Sequence, residues 1–309
     1  MWGKNIVRNA FELGVLAAVC DNDKQLAASL SEQFSCPSFT FEQILQDCSI
    51  SGVVIATNAG SHENLGCKAL EAGKHVYIEK PLALTIESAL LIKQAAIKAK
   101  KQVMVGHLLQ FHPAYVELKQ QVNDGAIGKL QHIQASRLAM GRIRKSESAI
   151  YDLCPHDLSL MLGLTNNMPL LIDCKSVSHV TNNGGDIIFT SFKFPGDITA
   201  IMHTSWYSPY KEHRLVVTGT EGSIVFDDTK TSEQKLTYYQ DKLLHQEDVI
   251  RIKRAEPTFL RIEEGEPLKN EISAFVETCE TSAPAITDVE EALKVQKILT
   301  EMSQQTQRT

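Results

Sequence analysis

Lys74 to Thr85, KHVYIEKPLALT, is the stretch whose reading decides the fold. Val76, Tyr77 and Ile78 form a β-branched and aromatic run that reads as a short buried strand, and it stops at Glu79-Lys80-Pro81. Proline cannot donate to a ladder and drives the residue before it out of helical geometry, which sets Lys80 on a turn at the strand's carboxyl end. Ligands of open α/β sheets gather at that end, so a lysine there is placed for chemistry. A solvated lysine on an ordinary strand-to-helix turn is the competing reading, and the flanking sequence has to separate the two.

Upstream, Gly52 to Ala56 (GVVIA) reads as a buried strand and Ser61 to Ala72 as a helix stopped by Gly73. Downstream, Leu84 to Lys100 is a long amphipathic helix followed by the strand Gln102 to Gly106. Earlier still come a helix over Asp23 to Phe34, an extended piece at Pro37 to Phe39 and a short helix over Phe41 to Asp47. Alternation of this kind predicts a parallel sheet with helices on both faces. At the start, Trp2-Gly3-Lys4-Asn5 opens a helical pattern of Ile6, Val7, Ala10, Phe11 and Leu13, capped by Gly14; Val15 to Cys20 then reads as a strand closed by Asp21. An acid 18 positions after Gly3 is the back half of a dinucleotide-binding unit. Gly3 then stands as the third glycine of G-x-G-x-x-G, and the chain is expected to begin inside the phosphate-binding turn with the first strand missing.

Beyond Gly125 and Gly128 the rhythm changes. Leu130 to Leu138, Ile172 to Val180, Asp186 to Phe194, Ile198 to Trp206, Leu215 to Thr218, Ser223 to Phe226 and Lys235 to Gln240 all read as strands. Turn signals such as Asn182-Asn183-Gly184-Gly185 and Pro195-Gly196-Asp197 suit hairpins. One helix, Asp152 to Leu164, interrupts them, and Lys269 to Glu280 and Val289 to Gln305 close the chain. The expected fold is α/β: an N-terminal Rossmann domain (doubly wound parallel sheet, first strand missing) over residues 1–108, then a C-terminal α+β domain with an open, mostly antiparallel sheet over 109–309.

A length of 309 residues suits two domains at about 150 residues each. Net charge of -6 argues against nucleic acid or an anionic membrane as the main partner. No apolar run approaches the roughly 18 residues of a membrane span, and the N-terminus has no basic segment leading into an apolar core, so a cytoplasmic protein is expected. Seven dispersed cysteines, none in a CxxC pair, indicate neither a disulfide framework nor a zinc ribbon.

Asp152 and His156 lie four apart in the predicted helix, which brings both side chains out on one face. An imidazole that titrates near neutrality can take a hydroxyl proton and return it, with the carboxylate orienting the ring or a substrate hydroxyl. Spacing alone also allows a surface ion pair or two metal ligands.

Taken in order, WGKN opening a helix, AVCD, VVIATNAGSHENL, HVYIEKPLALT, VGHLLQFHPAY and YDLCPHDLSLML resemble the glucose-fructose oxidoreductase/inositol dehydrogenase (Gfo/Idh/MocA) family from Trp2 to about Phe226. The resemblance implies an NAD(P)-dependent oxidoreductase that moves a hydride between nicotinamide and a secondary hydroxyl or carbonyl of a sugar, with no metal required. It implies His156 as general acid/base, Asp152 as its substrate-orienting partner and Lys80 as a polarising or proton-relaying group. Gly3, Lys4, Asn5, Asp21, Thr57, Asn58, His62, Glu79 and Lys80 fall on the cofactor side. The Asp21 carboxylate, suited to ribose hydroxyls and repelling a 2′-phosphate, favours NAD over NADP. His107, Gln110, Arg137 and Tyr207 fall on the substrate side; many relatives carry Asn-Arg-Arg-Phe where this chain has Leu108-Leu109-Gln110-Phe111, so that arginine does not carry over. Arg137, Arg142, Arg144, Lys145, Lys211 and Arg214 together could hold a diphosphate, or be scattered loop cations. Tyr207 and Tyr210 could stack on a sugar or base, or simply pack.

The HLLQFHPA stretch resembles members acting on nucleotide-activated amino sugars, which makes a sugar or nucleotide sugar the expected small-molecule partner. An NAD-assisted glycoside hydrolase and a non-catalytic homologue with impaired cofactor binding are the alternatives. A homo-oligomer formed through the outer face of the antiparallel sheet, and a cis Lys80-Pro81 bond, are further expectations from the resemblance.

Overall fold

The computed structural model describes residues 2–141, 143, 148–180, 185–246 and 249–307. Arg142, Arg144, Lys145 and the Asn182-Asn183-Gly184 part of one predicted turn lie outside the described residues. The chain divides into two compact units, Met1–Phe111 with Gly265–Gln296 and His112–Glu264 with Lys297–Thr309.

In the first unit α1 (Gly3–Glu12) buries Ile6 and Asn9. The expected strand after it does not form: only Val19 pairs, in an isolated parallel bridge to Ser38, while Val15 is exposed. Val19 N–H donates to Pro37 O and Phe39 N–H donates back to Val19 O, and Pro37, with no N–H, cannot extend the ladder. Next come α2 (Lys24–Phe34), capped by the Asp23 carboxylate, and α3 (Phe41–Gln46), opened by a Thr40/Gln43 capping box.

The unit's sheet consists of β1 (Gly52–Ile55), β2 (His75–Ile78) and β3 (Val103–Val105), all parallel with β2 in the centre. The crossovers are α4 (His62–Glu71) and α5 (Ile86–Ala99). Alternation along β2 explains why both faces are covered. Val76 and Ile78 enter one apolar cluster with Leu70, Ala89, Ile92 and Val105, whereas Tyr77 enters another with Ile6, Met104, Phe111, Leu268, Ile272 and Phe275. Each such side chain contributes about 1.5–3 kcal/mol by leaving water.

In the second unit α6 (Pro113–Asn123) precedes β4 (Leu130–Leu138). The single helix predicted over Asp152 to Leu164 is two: α7 (Ala149–Asp152) and α8 (Cys154–Thr165), separated at Leu153. Pro155 is responsible, because it is tolerated in the first turn of a helix but not in the interior of one. The strands β5 (Leu171–Val177), β6 (Ile187–Lys193), β7 (Thr199–Ser205), β8 (Glu212–Gly219), β9 (Ser223–Asp227) and β10 (Leu236–Tyr239) follow. A separate two-stranded ribbon pairs β11 (Lys242–Gln246) with β12 (Val249–Lys253), and β13 (Thr258–Phe259) adds to the edge of β10.

The eight-stranded sheet runs β13-β10-β9-β8-β4-β7-β6-β5, antiparallel except for β4 beside β7. Its strands alternate: Ile188, Thr190 and Phe192 of β6 are buried, and Phe189 stands exposed, stacked on His203 at 4.5 Å.

Two helices end the chain, α9 (Pro267–Thr281) and α10 (Val289–Thr306). The sequence boundary after residue 108 assigned both wholly to a second domain. Residues 265–296 instead belong to the first unit, because Leu268, Ile272 and Phe275 form one stripe of α9 that packs on Tyr77 and Met104. No described helix is long and apolar enough to cross a membrane.

Candidate functional site

The Lys80 turn is pinned from below by the sheet. Glu79 N–H donates to Ile55 O and Gly106 N–H to Ile78 O, both at 2.9 Å, so the backbone is held up to the residue before Lys80. The Lys80-Pro81 bond that follows is cis. His62, buried at the start of α4, lies between two strand-end turns: Nδ1 is 2.8 Å from Pro81 O and Nε2 3.3 Å from Thr57 O. Burial lowers its pKa, and both ring nitrogens face backbone carbonyl oxygens, so the N–H of the neutral ring is shared out to one turn at a time. His62, expected on the cofactor side, thus stands between the Thr57 turn and the Lys80 turn. Thr57 Oγ1 is hydrogen-bonded to Ser61 Oγ at 2.7 Å, and Asn58 O accepts from Ser61 N at 3.0 Å.

Glu79 collects three donors: Trp2 Nε1 at 2.6 Å, the Tyr77 hydroxyl at 3.1 Å and the Lys80 backbone N–H at 3.2 Å. Burial raises its pKa, while these donors and the Lys80 charge pull it back. Since Trp2 immediately precedes Gly3, the indole ties the first turn of α1, with Gly3, Lys4 and Asn5, to the Lys80 turn. Trp2 offers no side-chain cap to α1, and Asn5 N–H donates to Trp2 O at 2.8 Å, so it is the positive end of the helix rather than the Asn5 N–H that suits an anion. Gly106 fits closely beneath: a Cβ there would stand 2.6 Å from the Tyr77 hydroxyl and 3.0 Å from Glu79 Oε2.

Asp21 is exposed, and its Oδ1 accepts from Asp23 N–H at 2.9 Å in a turn that leads into α2. His107 is buried and engaged with Glu291, Nδ1 to Oε2 2.6 Å, and Gln110 is buried in the short 3-10 turn Leu108–Phe111. Both are expected on the substrate side, and both are buried in this structure.

In the second unit a cavity of about 140 Å³ is lined by Arg137, Leu138, Ala139, Gly141, Asp152, Leu153, Trp206 and His213. Asp152 ends α7, and its Oδ2 accepts from Trp206 Nε1 at 3.1 Å. His156 is half-buried in the first turn of α8, just past Pro155. Arg137, expected on the substrate side, lines this cavity. It is buried and fork-bonded to Asp157, Nε to Oδ2 2.9 Å and Nη2 to Oδ1 2.7 Å, so its charge is spent inside the protein. Opposite it on β8, His213 is held neutral with a pKa of about 4, first by burial and then by the positive charges of Arg137 and Lys211.

Arg214 pairs with Glu212 at 2.6 Å, Lys211 is exposed, and Tyr207 projects half-exposed with its ring 5.8 Å from His179. Asp157, His213 and the tie between Trp206 and Asp152 were not read from the sequence. The one signal within reach was Asp157 beside His156, an acid in an otherwise apolar helix interior.

Residues 4–107 match the family model described as an oxidoreductase family with an NAD-binding Rossmann fold, and residues 115–225 match the GFO/IDH/MocA C-terminal domain. The scyllo-inositol 2-dehydrogenase (NAD(+)) of Bacillus subtilis is 31% identical over 201 residues, 59% of this chain and 56% of its own. The UDP-N-acetylglucosamine 3-dehydrogenase of Acidithiobacillus ferrooxidans is 31% identical over 169 residues, 54% of this chain and 52% of its own. The chain thus spans a little over half the length of the curated relatives it matches. A solved structure of the Acidithiobacillus ferrooxidans enzyme superposes with a TM-score of 0.84 over 98% of this chain and 93% of that one at 22% identity, which is likeness of fold. The aldose-aldose oxidoreductase of Caulobacter crescentus, solved with glycerol, gives 0.82 over 94% and 89% at 19% identity.

Proposed function

The chain belongs to the Gfo/Idh/MocA family of NAD-binding oxidoreductases, and from that premise we propose that it is an NAD-dependent dehydrogenase of a sugar, with a nucleotide-activated amino sugar as substrate. The observation that carries the reading is the Lys80 turn at the carboxyl end of the parallel sheet, where Glu79 accepts from Trp2 and the Lys80 N–H and the His62 ring lies between Pro81 O and Thr57 O. Cofactor residues would be Gly3, Lys4 and Asn5, in the first turn of α1 whose N-terminal end suits a pyrophosphate, and Asp21, whose carboxylate suits ribose hydroxyls and disfavours NADP. When bound, nicotinamide supplies the hydride acceptor.

The remaining work falls to the chain's own side chains. Asp152, fixed by the Trp206 N–H, holds a substrate hydroxyl or the His156 ring in place. His156 takes the proton of the reacting hydroxyl, and Lys80 is assigned as a polarising or proton-relaying group. Arg137 serves by neutralising Asp157 under the cavity, which leaves the sugar end of the substrate to be met by Asp152, Trp206 and His213. The UDP-N-acetylglucosamine 3-dehydrogenase among the relatives supports the choice of substrate class.

The test is to incubate the purified protein with NAD and UDP-N-acetylglucosamine and follow NADH, with free cyclitols and hexoses as comparison. His156→Ala should abolish turnover while leaving NAD binding. Bond cleavage without net NADH would instead establish the hydrolase, and no NAD binding at all the non-catalytic homologue.

A further inference from the structure

Beneath the Lys80 turn the first unit buries an acid for which the proposed chemistry has no use. Glu271, on α9, is 0% exposed, and among the described residues no hydrogen-bond donor is placed on either of its carboxyl oxygens. Glu79 and the Tyr77 hydroxyl are the groups that act on it. Tyr77 is fully buried, its ring edge-on to Phe275 at 5.9 Å, and it stands between the two carboxyls with a single proton to donate. Two carboxyls flanking one phenol, one of them half-buried and the other fully out of water, do not both carry charge.

The surroundings decide which one ionises. Glu79 accepts from Trp2, Tyr77 and the Lys80 N–H and lies beside the Lys80 charge, all of which favour its carboxylate. Glu271 has only the Tyr77 hydroxyl to turn to, and that proton is already donated to Glu79. Charged groups on the facing segments are engaged elsewhere: Arg8 with Glu12 and Glu266, Lys269 with Glu12, and His107 with Glu291. Burial first, then Glu79, push the Glu271 carboxyl well above the usual carboxylate range.

We propose that Glu271 is a positioning residue: as the neutral acid of the cluster it leaves the single Tyr77 proton to Glu79, and so fixes the Glu79 carboxylate between Trp2 and the Lys80 turn. The dehydrogenase reading matters here only in giving that turn a cofactor to serve; the division of charge stands on the cluster itself.

Trp2 emission, isolated as the difference between the parent and Trp2→Phe, reports ionisation of Glu79. Because Glu271 is already uncharged, Glu271→Gln leaves the emission midpoint within about half a pH unit of the parent, whereas Tyr77→Phe, which removes a donor, raises it by more than about half a unit. The infrared spectrum of the parent at neutral pH carries a protonated-carboxyl band that Glu271→Gln removes. A larger midpoint shift in Glu271→Gln, a smaller rise in Tyr77→Phe, a band that Glu271→Gln leaves in place, or a parent without that band overturns the proposal. The last readout needs no variant to fold. A parent that binds no NAD(H) would sink the dehydrogenase reading and leave these titrations as they are.

Discussion

Trp206 donates its indole N–H to Asp152 Oδ2 at 3.1 Å, which ties the end of the β7 strand to the end of the α7 helix at the wall of the cavity. A carboxylate held by a rigid aromatic donor keeps one orientation without help from its own short helix. Trp206→Phe keeps the packing of the ring and removes the donor. A hydrogen bond to a charged group is worth about 1.5–3 kcal/mol, so kcat/KM should fall about tenfold to a hundredfold with NAD affinity intact. A parent-like rate would show that the indole does not orient Asp152.

Arg137 and Asp157 form a buried two-bond pair in the second unit. Removing one member strands the charge of the other, at a cost of about 3–5 kcal/mol. Arg137→Met should therefore lower the urea midpoint strongly, and Arg137→Met with Asp157→Leu should recover most of the loss. A direct substrate ligand would behave differently: KM would rise at an unchanged midpoint.

His213 has its pKa lowered from 6.5 to about 4 in the folded protein. The unfolded chain binds a proton at this residue as pH falls below 6.5 and the folded protein does not, so stability is lost from about 6.5 down to about 4. His213→Asn should weaken the acid dependence of the urea midpoint across that window and leave the midpoint at pH above 7 little changed. Parallel curves for parent and variant would mean that the imidazole charges as freely folded as unfolded.

At Gly106 a Cβ would stand 2.6 Å from the Tyr77 hydroxyl and 3.0 Å from Glu79 Oε2. Overpacking of this kind costs about 1–3 kcal/mol. Gly106→Ala should lower the melting temperature and weaken NAD binding together, since the displaced atoms are those that hold Glu79. Unchanged NAD affinity in a destabilised variant would separate the Glu79 geometry from cofactor binding.

The Lys80 turn was legible because a β-branched run ending at charge and proline admits few conformations, and because alternating elements on both sides demand a parallel sheet. Val15 to Cys20 misled for the complementary reason. Its apolar character is real, but a strand exists only where a partner offers a ladder, and the facing segment begins with Pro37. The partners of Arg137 and His107 were not legible because a residue's type shows its charge and not who neutralises it: Asp157 is 20 residues from Arg137, and Glu291 is 184 from His107.

The sequence by itself determined the two fold classes, the family and the turn that carries Lys80, since local propensity, periodicity and the order of the motifs are all written along the chain. Only the tertiary structure decided which charges are spent internally, that α9 returns to the first unit, and that Glu271 lies buried against Tyr77 and Glu79. Those outcomes depend on contacts between residues far apart in the chain and on exclusion of water, and neither is a property of any one stretch of sequence.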